Sequence, residues 1–363
     1  MRPRLEKLES LRAFACITVL LYHAYIFNQG YWSINIFITL SAFLMTYNGL
    51  GKVERYPTGL KGCALFAWNK TKKLYPLYFI TLLVLVLRIV LLAPENPPVQ
   101  QLIIFAKQFV LCALLIQSWP PNTSWSFAFN VVGWYISTSL LLYFCFPFIL
   151  RRISRLKSRR SAVVSILVIY LLMLLVAWGV STVHGRYVTD SYARDNFQQW
   201  FSFVFPPFRL GDFTIGCLAG YIFSVSDHSR LSPAKATLIE IGTIALFFLT
   251  HLIYTIEGMP KFMIFNLLFI LPVAALVYSF AIGKGAISGL LDNKPVRVIA
   301  DYSVEVFLIH DVAILYASPL STFLPLPHHL QQLVFAVFVF TVTIVASILW
   351  RRFGRRFPFF AVK

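Results

Sequence analysis

Apolar runs of about 18 residues or more recur down the whole chain, and each is long enough to cross the ~30 Å hydrocarbon layer of a bilayer as a helix. They fall at about 10 to 28, 34 to 50, 74 to 93, 132 to 150, 162 to 183, 203 to 224, 236 to 254, 263 to 280, 299 to 318 and 331 to 350. With 58% hydrophobic and only 13% charged residues among 363, most of a folded surface would be apolar, which water does not tolerate. The chain is therefore read as all-α: a polytopic membrane helical bundle, one integral-membrane domain over residues 1 to 363. No internal repeat and no separate soluble module is visible in it.

The net charge of +18 sits in clusters between these runs: MRPRLEK at the start, the loop from Lys52 to Lys73, RRISRLKSRR at 151 to 160, Lys284 to Arg297, and RRFGRR at 351 to 356. No basic soluble domain accompanies them, so nucleic acid is not the expected partner, and membrane topology accounts for the charge. Placing every cluster on the cytoplasmic side gives ten crossings with both termini cytoplasmic. Parity then requires that the shorter run at 102 to 116 stay re-entrant or interfacial on the outer side. MRPRLEK resembles the basic region of a signal peptide, but the following run contains Arg12 and His23 and has no small-residue cleavage site, so it is read as the first helix. The five cysteines are scattered singly, without metal or redox spacing, and no metal is expected.

Ionisable groups inside spans are costly and point to function. Arg12 and His23 are eleven residues apart in LESLRAFACITVLLYH, which returns them to within about 20° of one direction, with a rise of about 16 Å along the helix. Arg12 stays charged and can fork onto phosphate or carboxylate; His23 can take and return a proton near neutral pH. A snorkelling arginine and a histidine bonded to a neighbouring carbonyl would look the same, and the pair alone leaves both readings open.

The pattern around this pair resembles the integral-membrane acyltransferase family 3. LESLRAFACITVLLYH is similar to that family's L-D-G-L-R-G opening followed by histidine, with Glu9 and Ala13 as departures. NIFITLSAFLMT at 35 to 46, NKTKKLYPLY at 69 to 78, GWYISTSLLLYFCFP at 133 to 147, FRLGDFTIGCLAGY at 208 to 221 and YSVEVFLIH at 302 to 310 resemble its later segments in order. Lys70 and Lys73 stand at its arginine positions, and Asp212 replaces its glutamate. The resemblance implies O-acylation, chiefly acetylation, of a surface polysaccharide, glycolipid or lipid-linked sugar in the cytoplasmic membrane, with cytoplasmic acetyl-CoA or another short acyl-CoA as donor. Membrane proteins of glycan synthesis are the expected protein partners.

On that basis His23 is the candidate base, with Arg12 and Glu305 as the other catalytic candidates. Glu305 is placed to orient His23 or to receive its proton, unless it pairs helices structurally. Arg12, Lys70, Lys73 and Ser41 are the donor-binding set, although the lysines also read as topological anchors. Trp134, Ser137, Arg209 and His310 are the acceptor-binding set, while Arg209 and Asp212, three apart, can instead neutralise each other. On the helix at 299 to 318, Asp301 and Glu305 share a face and His310 lies about 140° away. His328 and His329 are read as residues of a solvated outer loop. A transporter or flippase of a sugar or acyl-group precursor is the competing reading, since buried charges also mark substrate pathways.

Overall fold

The computed structural model describes residues 3–27, 29–319 and 327–354. It is about 80% helix, with no strand among the described residues. Each expected apolar run is a helix: α1 Leu8–His23, α2 Tyr31–Gly49, then, after the amphipathic α3 Leu60–Thr71, α4 Tyr75–Leu92. Next come α5 Val99–Ala113, the single turn α6 Thr123–Ser126, α7 Gly133–Ser154, α8 Arg159–Tyr187 and the polar α9 Ser191–Gln199. The remaining helices are α10 Pro206–Ser224, α11 Pro233–Tyr254, α12 Leu268–Ile282, α13 Ala286–Leu291, α14 Lys294–Ala317 and α15 His328–Phe353. The segment at 320 to 326, including Pro325, lies outside the described residues, and His329 stands in the first turn of α15 rather than in a loop.

Helix starts follow ordinary capping chemistry. Ser158, Ser232 and Asn293 accept from the backbone N–H three residues on and open α8, α11 and α14, the last two with proline at the first or second position.

Among the described residues, six units are long and apolar enough to cross a membrane: α4, α7, α8, α11, Met263–Ile282 and α15. α8 buries only 11% of its apolar window and α11 22%, while the Met263–Ile282 unit buries 61%. The outer helices are thus uniformly greasy, and the more polar α1, α2, α10 and α14 pack inside them.

Contacts give the directions of the inner helices and of α15. Cys16 meets Ser303, Leu20 packs with Val306 and Ala24 with Ala313, so α1 and α14 are parallel. α2 turns back, its Tyr31 beside Tyr22 and its Tyr47 donating to the Pro3 carbonyl. α10 runs parallel to α2, from Arg209 on Asn35 to Gly220 on Phe43. α7 runs with them, from Thr138 at Val204 to Leu156 at Tyr221. α15 is antiparallel to α14, pairing Arg351 with Glu305 at one end and Phe335 with Ala313 at the other.

The tightest crossing is α10 on α2. A Cβ at Gly216 would lie 2.8 Å from the Cβ of Ala42, and one at Gly220 would lie 2.6 Å from the Phe43 carbonyl oxygen. Glycine four apart lets the two backbones touch, a packing mode that hydrocarbon surroundings favour.

Candidate active site

The parallel packing of α1 on α14 sets the centre of the site. His23, the last residue of α1, is carried to His310, with ring centroids 5.2 Å apart and planes inclined at 49°. His310 is buried; its Nδ1 is 3.1 Å from the Val306 carbonyl oxygen and its Nε2 has no hydrogen-bond partner among the described residues. A carbonyl can only accept, so Nδ1 carries the proton and Nε2 is left as an acceptor. The next residue, Asp311, accepts from the Val131 backbone N–H at 3.0 Å, and Asn130 donates to the Leu308 carbonyl at 3.1 Å. These bonds clamp the 130 to 132 turn against α14.

His23 opens on a cavity of about 170 Å³ that it shares with Tyr22, Tyr31, Val131, Trp134, Gln199 and Phe203. That volume is room for a handful of waters or for the reacting ends of two substrates. Trp134 forms one wall, its ring 4.7 Å from that of Phe203, which in turn meets Tyr31 edge-on at 5.2 Å. Ser137 does not face this cavity: its Oγ accepts from the Ser118 N–H at 3.4 Å, while the Ser118 hydroxyl donates to the Trp134 carbonyl at 2.9 Å. Its contribution is to hold the 118 segment beneath the tryptophan.

Toward the opposite, basic end of α1, Arg12 donates to Glu9 at 2.9 Å and keeps 32% of its side chain accessible. Ser41, on α2, is half-buried within the bundle. Lys70 and Lys73 are exposed at the junction of α3 and α4, on the same end of the bundle as Arg12, with the Lys70 Nζ 5.7 Å from the Phe66 ring.

Glu305 is not turned to His23. Arg351 grips it from α15, Nε to Oε1 at 2.8 Å and Nη2 to Oε2 at 3.0 Å, and also donates to the Asp301 carbonyl. Glu305 precedes His310 by five residues, about 7.5 Å along α14 and about 140° around it, so helix geometry keeps the two apart. The basic tail cluster, read from the sequence as a topological anchor, thus supplies an interior ion pair.

Arg209 is fully enclosed. Its Nε is 3.1 Å from Asp212 Oδ2 and its Nη2 donates to Asn35 Oδ1 at 2.8 Å, while Asn266 donates to Asp212 Oδ1 at 3.2 Å. The network ties α10 to α2 and to the start of the Met263–Ile282 unit. The Arg209 guanidinium also lies 5.6 Å from the Phe203 ring, so it backs the cavity wall without lining the cavity.

Arg351, Asn35 and Asn266 were not singled out from the sequence, because their partners lie on other helices. Among the described residues, no three histidine, cysteine or carboxylate side chains converge as metal ligands.

Comparison with known proteins identifies the family. The chain is 23% identical to an acyltransferase, MdmB, of Streptomyces mycarofaciens over 344 residues, covering 86% of this chain and 80% of that protein. No solved structure matches it. The sequence pattern of the acyltransferase 3 family, described as an acyltransferase domain, matches residues 5–352, and the chain belongs to that family of membrane acyltransferases.

Proposed function

We propose that the chain moves an acetyl group from cytoplasmic acetyl-CoA, or a short acyl group from a related thioester, to a hydroxyl of a surface polysaccharide, glycolipid or lipid-linked sugar. The supporting observation is the position of His23. It closes a small aromatic cavity at one end of α1, while Arg12 sits on the same helix toward the basic end. The thioester of a donor whose anionic nucleotide stays at the basic end, and a hydroxyl entering from the other, would then meet at an imidazole.

In this reading His23 removes the proton of the acceptor hydroxyl as its oxygen bonds to the acyl carbon. The carbon–sulfur bond breaks, and the thiolate takes the proton from the imidazolium, leaving an ester and free thiol. Arg12, with Lys70 and Lys73 nearby on that end, offers charge to the phosphates of the nucleotide. Trp134, packed on Phe203, offers an apolar face to the acceptor. Helix directions support a reading of ten crossings: α4 is parallel to α14, with Thr81 and Leu308 both at Asn130 and Val84 at Tyr316, and α7 is antiparallel to both, which leaves no crossing for the 15-residue α5. Membranes holding the wild-type chain or His23→Ala, supplied with acetyl-labelled CoA, test the reading. Label should pass to a membrane or surface glycan with the wild type alone, and equal transfer by the variant would refute it.

A further inference from the structure

A second cavity, of about 300 Å³, lies toward the basic end of the bundle and shares no lining residue with the one that His23 closes. It is enclosed by α1, α11, α12 and the facing ends of α13 and α14. Its floor is buried and apolar, made of Leu11, Ala13, Phe247, Leu276 and Phe280. Its rim is equally apolar but exposed, with Phe14, Phe248 and Leu291. Ser10 brings the one hydroxyl of the lining, and it donates to the Lys7 carbonyl at 2.7 Å. A hole of this kind offers water no partner, so an apolar chain is what it can hold.

Depth and charge say which chain. α1 lines the cavity from Ser10 to Ile17, a rise of about 10 Å, so it begins near the helix ends and stops before the middle of a ~30 Å hydrocarbon layer. It therefore belongs to the leaflet at the basic end. His23 lies six residues beyond Ile17, about 9 Å further, so the chain of a lipid-linked acceptor reaching His23 from the other end would occupy the opposite leaflet.

The charge at the mouth is positive. Lys294, the first residue of α14, stands in the chain between the lining residues Leu291 and Val296; it is exposed and enters none of the ion pairs among the described residues. The acids of that corner are already met, Asp292 by Lys7 and Arg297, and Glu6 by Arg297.

We propose that this cavity holds one acyl chain of an anionic phospholipid from the leaflet at the basic end, with the lipid phosphate at Lys294. A chain seated there gains the dispersion contacts that the lining otherwise lacks. One lysine near a membrane surface favours an anionic over a zwitterionic headgroup by about 5-fold.

The test is native mass spectrometry of the full chain, purified in detergent and incubated with palmitoyl-oleoyl phosphatidylglycerol or the matching phosphatidylcholine. The wild type should retain one phosphatidylglycerol about 5-fold more than one phosphatidylcholine. Ile17→Trp, which puts a ring into the cavity, should lose the retained lipid of both kinds. Lys294→Gln should keep the lipid and lose the preference, and Val168→Trp on the open face of α8 should behave as the wild type. Unchanged retention by an Ile17→Trp chain that unfolds at the wild-type temperature would overturn the inference. So would an unchanged preference in Lys294→Gln, which decides the matter if Ile17→Trp does not fold. Retention of undecaprenyl phosphate in preference to phosphatidylglycerol would overturn it in favour of an acceptor lipid. No transfer assay enters, so these outcomes stand apart from the acyltransfer reading.

Discussion

His23 and His310 face each other across the parallel contact of α1 and α14, ring centroids 5.2 Å apart. The second imidazole has its Nδ1 proton committed to the Val306 carbonyl and its Nε2 unpartnered among the described residues. No carboxylate stands behind His23 in the described contacts; its ring neighbours are Tyr22 at 5.0 Å and His310 at 5.2 Å. In the proposed mechanism His310 would be a positioning residue, holding His23 or sharing its proton.

Substituting His23 by Ala should lower kcat by about 100-fold or more, the usual loss when a general base is removed. His310→Ala should lower kcat by a smaller factor and displace the pH–rate profile, because it acts through His23. A His310→Ala enzyme with an unmoved profile and altered KM alone would assign His310 to substrate contact instead.

Glu305 and Arg351 form a bidentate pair with the carboxylate 6% and the guanidinium 28% exposed. Removing one partner strands the other, and buried pairs broken this way lose about 3–5 kcal/mol, less here because Arg351 reaches solvent. Glu305→Leu should therefore lower the unfolding temperature in detergent, and Glu305→Leu with Arg351→Leu should recover most of it. If Glu305→Leu abolished transfer at unchanged stability, a catalytic role would follow.

At the α10–α2 crossing, Gly220→Ala should destabilise by about 1–3 kcal/mol, since its Cβ would press on the Phe43 backbone rather than on a movable side chain. Gly242→Ala in α11 has nothing within 4 Å of the new Cβ and should be neutral or stabilising by up to about 1 kcal/mol. Thermal unfolding of both variants in one detergent checks the contrast.

Asp292, between α13 and α14, accepts from Arg297 at 2.6 Å and from Lys7 at 2.6 Å. Those hydrogen bonds hold its pKa down at about 2, below its ordinary 3.8. A depressed carboxylate stabilises the fold above its unfolded pKa, so this contribution is complete above about pH 4 and is lost as pH falls toward 2. Asp292→Asn should flatten the stability curve across that window, measured as unfolding temperature against pH.

Helix placement was legible in the residues because length and hydropathy alone decide what can lie in a bilayer, and each expected apolar run is indeed a helix. Arg12 and His23 were legible as a pair because helix periodicity is fixed by covalent geometry and local hydrogen bonds. The partners were not legible, because they depend on which helices run side by side and in which register. Only the tertiary structure brings His310 rather than Glu305 to His23, turns Glu305 to Arg351 across 46 residues of chain, and closes Arg209 into a network with Asn35 and Asn266. Spacing within one helix is a local property, whereas the register between helices is chosen by packing, through contacts such as Gly220 on Phe43 that no single segment encodes.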